Sequence, residues 1–125
     1  MVVMDINVKI DDYILNCRTV GIIIRDDKIL LQKKLDDKYF TLPGGKIMVG
    51  ETGEDAIKRE LMEELNIECC VNRINSVCEN FFSFNGNRYH QYIFSYIINI
   101  DNDNYVFKNE KFNIDWEWLY GKLII

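Results

Sequence analysis

The 125-residue sequence lacks the features that mark several classes of protein. Its four cysteines show no C-x-x-C spacing and no zinc-binding pattern, so we expect reduced thiols that pack in the interior of a cytoplasmic protein. No apolar run is long enough to span a membrane, and the early acidic residues of segment 1–12 do not suit a secretory signal. From these absences we expect that the sequence contains no signal peptide and no membrane-spanning segment. The cysteines are Cys17, Cys69, Cys70 and Cys78.

An excess of positive charge is also missing, because 15 lysine and arginine residues stand against 20 acidic ones and the net charge is −5. Binding sites for nucleic-acid backbones need basic patches, so we predict no nucleic-acid partner. An anionic small molecule can still bind if metal ions neutralise acidic side chains first. Repeats and low-complexity linkers are absent as well. With 48% hydrophobic and 13% aromatic residues, the composition predicts one folded domain over residues 1–125.

One helix is predicted between Thr52 and Asn66. Thr52 followed by Asp55 is typical of a capping box, in which the threonine hydroxyl accepts a hydrogen bond from an amide of the first turn. Asn66 suits the end of the helix because asparagine tolerates a left-handed backbone conformation. Three aliphatic residues recur at helical spacing and predict the face that packs on a core. They are Ile57, Leu61 and Leu65.

Three glutamates fall on a neighbouring face of this helix, at Glu60, Glu63 and Glu64. Like charges at this spacing destabilise a helix by roughly 0.2–0.5 kcal/mol per pair, so helix formation does not require them. They make chemical sense if a hard divalent cation binds there, because Mg²⁺ prefers oxygen ligands. The alternative is a solvated acidic face with Arg59 and Glu63 as an ordinary i,i+4 ion pair.

The segment before the helix favours the metal site. The glycine-rich segment Pro43-Gly44-Gly45 is predicted to be a loop that can bring bare backbone close to the helix, and Glu51 adds an acid just before its first turn. The whole stretch resembles the signature of the Nudix hydrolases, G-x5-E-x7-R-E-U-x-E-E-x-G-U with U aliphatic. Asn66 stands where the family has glycine. The matching residues are Gly45, Glu51, Arg59, Glu60, Leu61, Glu63, Glu64 and Ile67.

The resemblance implies a reaction and a set of site residues. Similar proteins hydrolyse the diphosphate linkage of a nucleoside diphosphate joined to a group X, using Mg²⁺ or Mn²⁺. The resemblance implies that the metal is held by Glu60, Glu63, Glu64 and the carbonyl of Gly44, and that the same three glutamates provide the catalytic acids or bases. Arg59 is interpreted as orienting these acids, and Glu51 as a partner of Arg59.

Two assignments stay open at the level of the sequence. The general base is one of the helix glutamates or a distant loop acid, for which Glu110 is the best candidate. Its alternative is a solvated loop residue. Phe40 could stack a nucleotide base, as could Phe82, Phe84, Tyr89 and Tyr92, against the alternative of core packing. Lys33 or Lys34 could contact phosphate, against the alternative of surface lysines. The lone His90 is interpreted as a structural residue.

Strand patterns surround the helix. Residues 6–10 alternate like an edge strand, residues 18–24 form an apolar run typical of a central strand, and residues 28–34 return across an Asp26-Asp27 turn. Asn85-Gly86 predicts a tight hairpin. The fold class is predicted as α/β, with a mixed sheet and, by the resemblance, an α/β/α sandwich. The other predicted strands or extended segments are residues 39–42, 47–49, 69–77, 81–84, 88–98, 106–107 and 116–119.

The end of the chain departs from the family. Its members usually carry another helix after the segment that corresponds to residues 115–119, whereas only six residues follow Leu119 here. The C-terminal helix is therefore expected to be missing or very short. An uncovered apolar sheet face promotes self-association, so we predict a homodimer or other oligomer.

Two other functions fit the resemblance. A ligand sensor of the same fold would bind nucleotide without turnover, and relatives with a degraded signature behave this way. A diphosphate isomerase would need extra cysteine and glutamate residues in a deep pocket, for which this chain looks too short. The intact glutamates favour the hydrolase.

Overall fold

Two β-sheets and one α-helix make up the computed structural model of the chain, which describes residues 4–32, 39–107, 111–113 and 116–120. The helix, α1, runs from Gly53 to Leu65, and a short 3₁₀ helix spans Tyr105–Phe107. The strands are β1 (Asn7–Ile10), β2 (Tyr13–Ile22), β3 (Ile24–Arg25), β4 (Lys28–Gln32), β5 (Gly44–Lys46), β6 (Cys70–Phe84), β7 (Asn87–Asn99), β8 (Lys111–Asn113) and β9 (Trp116–Tyr120).

The larger sheet has five strands in the order β1-β2-β7-β6, with β5 also paired to β2. Strands β2 and β7 run parallel and every other pair is antiparallel, so the predicted mixed sheet is confirmed. The predicted edge strand is β1, whose four residues are all exposed. The predicted central strand is β2, which begins at Tyr13, five residues before the apolar run.

A second, antiparallel sheet has the order β3-β4-β9-β8. The prediction of one sheet is therefore wrong: the apolar run leaves the first sheet after Ile22, passes through buried Ile23 and enters the second at Ile24. The hairpin predicted at Asp26-Asp27 is confirmed. Both aspartates have positive φ, 52° and 63°, which matches the twist of a tight two-residue turn.

The longest hairpin joins β6 to β7. Asn85 and Gly86 have φ angles of 51° and 79°, as expected for the Asn-Gly turn that the sequence predicts. Strand β6 is continuous over 15 residues, whereas the sequence suggested two shorter strands. It lies at the edge of the larger sheet, and most of its residues are exposed.

Four local predictions differ from the structure. The glycine-rich segment forms strand β5 rather than a loop, and the strand expected at residues 39–42 is reduced to a single bridge between Gln32 and Thr41. Residues 106–107, expected as a strand, belong to the 3₁₀ helix, where Val106 is fully buried. Cys70 and Cys78 are exposed, so the prediction of interior packing is wrong for these two free thiols.

Helix α1 packs on the larger sheet through the predicted aliphatic face. Ile57, Leu61 and Leu65 are at most 3% exposed and join a core with Tyr96 and Ile98 of β7. Complete burial of one such side chain stabilises a fold by about 1.5–3 kcal/mol, so this contact anchors the helix firmly. The acid-bearing face of the helix is thereby held at a defined place beside the sheet.

The end of the chain lies outside the described residues from position 121 onward, so the missing helix and the uncovered sheet face stay predictions. The single domain over residues 1–125 also stays a prediction. Within the described part of the chain, no helix is long and apolar enough to cross a membrane.

Candidate active site

The first turn of α1 is fixed by its cap and by the neighbouring strand. The amide of Asp55 donates to the hydroxyl of Thr52 at 3.0 Å, as the capping box predicts. The hydroxyl of Thr19 in β2 donates to the carbonyl of Gly53 at 2.8 Å. The first contact caps the helix, and the second ties its start to the central strand.

The last turn ends at Asn66, whose backbone adopts the left-handed conformation with φ 53° and ψ 41°. The amide of Asn66 donates to the carbonyl of Met62 at 3.0 Å, and the amide of Ile67 donates to the carbonyl of Leu61 at 3.3 Å. This pattern satisfies carbonyls that would otherwise lack partners. Asn66 therefore adopts the left-handed C-cap conformation for which the family signature has glycine, and it ends the helix directly after the acids.

Arg59 joins the helix to the segment before it. Its Nε donates to Oε2 of Glu51 at 2.7 Å, and its Nη2 donates to Oε1 of Glu51 at 2.9 Å. Nη2 also donates to the carbonyl of Lys46 in β5 at 3.1 Å. Glu51 in turn accepts a hydrogen bond from the amide of Met48 at 3.1 Å. The fork of the guanidinium and the carboxylate make the two-point contact that only arginine offers.

The remaining nitrogen of Arg59 faces the helix acids. Nη1 donates to Oε1 of Glu60 at 2.9 Å and approaches Oε2 of Glu63 at 3.3 Å. The side chain of Glu60 is 13% exposed and that of Glu63 is 56% exposed. One guanidinium thus gathers three carboxylates and offsets their mutual repulsion.

The charges of this cluster reinforce one another. The hydrogen bond from Arg59 lowers the pKa of Glu51 against the opposing effect of burial, and the amide of Met48 contributes in the same direction. The bond to Glu51 likewise raises the pKa of Arg59, with a smaller contribution from Glu60. Both partners therefore remain charged at neutral pH.

Two glycines of β5 let backbone lie against these groups. A Cβ on Gly45 would come within 2.5 Å of the carboxylate of Glu60. A Cβ on Gly44 would lie 2.0 Å from the carbonyl oxygen of Thr19. The Glu60 carboxylate therefore rests directly on the β5 backbone, which only glycine at position 45 permits.

A cavity of about 550 Å³ adjoins the cluster, a volume within the range of small-molecule sites. Glu64 and Gly44 contribute to its wall, so the third helix acid faces this space together with the β5 backbone. The described residues that line it are Arg18, Val20, Gln32, Thr41, Leu42, Gly44, Glu64, Phe82, Gln91 and Ile93.

The donor atoms suit a hard cation. Carboxylate oxygens and a backbone carbonyl are the ligands that Mg²⁺ prefers, and Glu60 is seated against a glycine that leaves it room. In the described part of the chain, no group of three or more histidine, cysteine or acidic residues is already arranged around one metal position. Glu60 and Glu63 turn toward Arg59, so convergence on a cation requires their side chains to rotate.

The structure brings together most of the predicted site residues. Arg59, Glu51, Glu60 and Glu63 form one hydrogen-bonded cluster, and Glu64 and Gly44 face the adjacent cavity. Phe40, which is 38% exposed, is not among the described residues that line the cavity. Lys33 and Glu110 lie outside the described residues.

Among the cavity residues that sequence reasoning missed are Arg18 and Gln91. The signal was present in the strands: alternation along β2 places Asn16 and Arg18 on the same face, which is opposite to that of Thr19. Polar residues at alternate positions of a central strand indicate a polar cavity on that face.

Comparison with known proteins gives a consistent result. The model of the NUDIX domain family matches residues 15–119. A stretch of 50 residues is 46% identical to the ADP-ribose pyrophosphatase of Methanocaldococcus jannaschii and covers 38% of this chain and 30% of that protein. The matches to three curated relatives span 30%, 40% and 39% of those proteins' lengths.

Solved structures share the fold. A MutT NUDIX hydrolase from Burkholderia pseudomallei matches with a TM-score of 0.58 and 21% identity, covering 85% of this chain and 83% of that one. An Ap4A hydrolase from C. elegans matches with a TM-score of 0.59 and 18% identity, covering 85% and 80%. At these identities the likeness establishes the architecture.

Proposed function

The chain belongs to the NUDIX domain family, and on this basis we propose that it is a divalent-metal-dependent hydrolase of nucleoside diphosphate derivatives. In the proposed reaction, water adds across the P–O–P bridge, one P–O bond breaks, and the products are a nucleoside monophosphate and phosphorylated X. The observation that carries the proposal is the position of Glu64 and the Gly44 backbone in the cavity beside the Arg59 cluster. This position places oxygen atoms that could bind a metal ion at the wall of a cavity that could hold the substrate.

Each residue of the cluster has a role in this proposal. Glu60, Glu63, Glu64 and the Gly44 carbonyl would hold the cation. When bound, the cation would neutralise phosphate oxygens and lower the pKa of water. Arg59, anchored by Glu51 and Lys46, would keep the helix acids in place without contacting substrate. One of the three helix glutamates would accept the proton of the attacking water.

Arg59 also favours a second candidate function. Its Nη1 hydrogen-bonds Glu60 and approaches Glu63, so a cation must compete with a guanidinium for two of its carboxylates. If the guanidinium keeps these carboxylates and the cation does not bind productively, the protein would bind nucleotide without turnover. It would then be a ligand sensor. Divalent binding without product formation would identify the sensor.

Product release from a panel of substrates tests the hydrolase. The panel contains ADP-ribose, because a relative is named for that activity, together with UDP-sugars and nucleoside triphosphates, with Mg²⁺, with Mn²⁺ and with chelator. We expect metal-dependent cleavage of at least one member. Glu63→Gln and Glu64→Gln should each reduce the rate by about 10²-fold or more, because each removes a charged ligand.

A matched control comes from the same helix. Glu54 is an exposed acid of the first turn and lies outside the Arg59 cluster, so Glu54→Gln should retain activity. Equal losses in all three variants would show a general charge effect on the helix. Absence of turnover from folded protein that binds metal would reject the hydrolase.

Two further predictions accompany the proposal. We propose that the protein works in the cytoplasm as a single domain, in agreement with its reduced cysteines. We also propose self-association into a homodimer, for which the exposed edge strand β6 is the candidate surface.

A further inference from the structure

The residues of β2 and β7 that line the cavity, here called the cavity floor, follow one another in an order set by the strand register. Val20 of β2 pairs with Gly44, next to the acids. Two residues back along the strand is Arg18, which pairs with Ile93 of β7, and two further back is Asn16, which pairs with Gln91. Each such step is about 7 Å along the strand. Along the cavity floor, the helix acids are therefore followed first by the guanidinium of Arg18 and then by the amides of Asn16 and Gln91.

Arg18 is the cation of this floor. It is partly buried in the central strand and lines the cavity. In the described residues its guanidinium has no hydrogen-bonding or ion-pair partner, although a guanidinium withdrawn from water gains most from an anionic partner. One step from the acids, it is placed to contact a phosphate of a bound molecule.

Gln91 is held in one orientation by its neighbours in the sheet. Its Nε2 donates to Oδ1 of Asn16 at 2.9 Å, and its Oε1 accepts from Nδ2 of Asn80 at 3.5 Å. Gln91 and Asn16 are 6% and 2% exposed, so these two amides are shielded from solvent, whereas Asn80 is exposed. Because Asn80 and Asn16 impose a donor at one end and an acceptor at the other, the amide of Gln91 has a defined direction.

The amide of Gln91 has hydrogen-bonding capacity to spare. A glutamine side chain can donate two hydrogen bonds and accept two, and the described structure uses one of each. The remaining N–H and lone pair form the adjacent donor and acceptor with which glutamine recognises a base edge. One more step along the floor, the ring of Phe82 lines the cavity and stacks on Tyr89 with centroids 4.8 Å apart and planes inclined by 7°.

We propose that this cavity binds the nucleotide half of the substrate along β2 and β7, with Arg18 contacting a phosphate and Gln91 hydrogen-bonding the base. The base lies toward Phe82, and the phosphates lie toward Glu64. Asn80 acts as a positioning residue that sets the direction of the Gln91 amide. This assignment rests on the proposed hydrolysis of nucleoside diphosphate derivatives, and it limits the substrates to compounds that carry a base.

Calorimetric titration with AMP, UMP and ribose 5-phosphate, in the presence of Mg²⁺, tests the assignment without turnover. Ribose 5-phosphate has the sugar and phosphate but no base. We expect at least one nucleotide to bind about tenfold or more tightly than ribose 5-phosphate, the effect of one good base contact. Gln91→Met should remove this preference and leave the affinity for ribose 5-phosphate unchanged.

Arg18→Gln should act differently, weakening all three ligands by a similar factor and preserving the preference for a base. The matched control is Arg88→Gln, which removes an exposed arginine that stacks on Tyr13 at the far end of β7. That variant should bind like the unaltered protein. Loss of the base preference in Arg18→Gln, or equal binding of nucleotide and ribose 5-phosphate by the unaltered protein, would overturn the assignment.

Asn80→Asp provides a second route if Gln91→Met fails to fold. Asn80 is exposed, and an aspartate there accepts rather than donates. The Gln91 amide should therefore turn over together with the amide of Asn16, and so exchange its donor and acceptor. The ranking of AMP against UMP should then change, which a loss of stability would not produce. An unchanged ranking in folded protein would overturn the positioning role.

The hydrolase assay separates this inference from the proposed function. Cleavage of a nucleoside diphosphate derivative that is insensitive to Gln91→Met and Asn80→Asp would reject the cavity assignment and leave the hydrolase intact. Base-dependent binding with the expected variant pattern, but without cleavage, would support the cavity assignment and reject the hydrolase.

Discussion

Arg59 and Glu51, eight residues apart, are joined by two parallel hydrogen bonds of 2.7 and 2.9 Å. The pair closes the turn before α1 and sets the guanidinium beside Glu60. An arginine that is fully engaged on one side can present only its third nitrogen to the helix acids. The orientation of those acids therefore depends on a residue that lies outside the helix.

Acid titration should reveal the contribution of Glu51. Because Arg59 lowers the pKa of Glu51 in the folded state, the stabilisation is complete above the unfolded pKa of about 4.3 and is lost as pH falls through the lower, folded value. Urea unfolding from pH 7 down to pH 2 should show a smaller acid-induced loss in Glu51→Gln, which has no carboxylate to protonate. Parallel curves for the two proteins would contradict the prediction, and Glu54→Gln serves as a control on the same segment.

Two neighbouring glycines should respond differently to a methyl group. Gly45→Ala places a Cβ against the end of the flexible Glu60 side chain, which can move. We expect a folded protein whose Mn²⁺ affinity falls by about tenfold or more, the range seen when groups that orient ligands are removed. Gly44→Ala meets the backbone carbonyl of Thr19, so it should destabilise the fold by about 3 kcal/mol or more.

Thermal unfolding and metal titration of both variants check this contrast. Unchanged Mn²⁺ affinity in Gly45→Ala would show that Glu60 does not depend on that close approach. Equal stability of the two variants would show that the β5 backbone can shift away from Thr19.

The end of α1 offers a test of the departure from the family signature. Asn66 already holds the left-handed conformation, so Asn66→Gly should change the free energy of unfolding by less than about 1 kcal/mol. Asn66→Val should cost about 1–2 kcal/mol or more, because a branched Cβ is strained at a φ of 53°. Urea denaturation measures both values, and a stable valine variant would contradict the cap geometry.

Self-association should occur through strand β6. It is an edge strand with large exposed side chains along its length, among them Val77, Phe81 and Phe84 at 51%, 59% and 61% exposure. Edge strands of this kind pair with other chains unless charge or proline prevents it. Light scattering after gel filtration at micromolar concentration should show a dimer, and Val77→Lys should shift it toward monomer. A monomer from the unaltered chain would reject the prediction.

The helix and its acids were predictable because their determinants are local. Thr52 and Asn66 mark the ends of α1, and the spacing of Ile57, Leu61 and Leu65 sets its buried face. Once that face is set, the rotation of about 100° per residue places Glu60, Glu63 and Glu64 together on a neighbouring face of the helix. The bidentate contact of Arg59 depends on how the preceding turn folds back, which spacing alone does not specify.

The sheets were less predictable because strand pairing is not local. The apolar run from position 18 to 24 gives no sign that it changes sheet at Ile23, since each sheet contains buried aliphatic residues, such as Ile22 in β2 and Leu30 in β4. Strand β5 is Gly44-Gly45-Lys46, and glycines have low strand propensity, so its pairing with β2 outweighs local preference. Arg18 and Gln91 become neighbours in one cavity only through the parallel pairing of β2 with β7.

That parallel pairing also bears on how the chain folds. Asn16 and Gln91 are 75 residues apart, whereas β6 and β7 meet across a two-residue turn. Contacts with such a long sequence separation form late because closing the loop costs entropy before any contact is gained. We therefore expect the β6–β7 hairpin to form early and β2 to dock on it in the rate-limiting step. During synthesis, Asn16 of β2 must wait for its partner Gln91 until 75 further residues have been made.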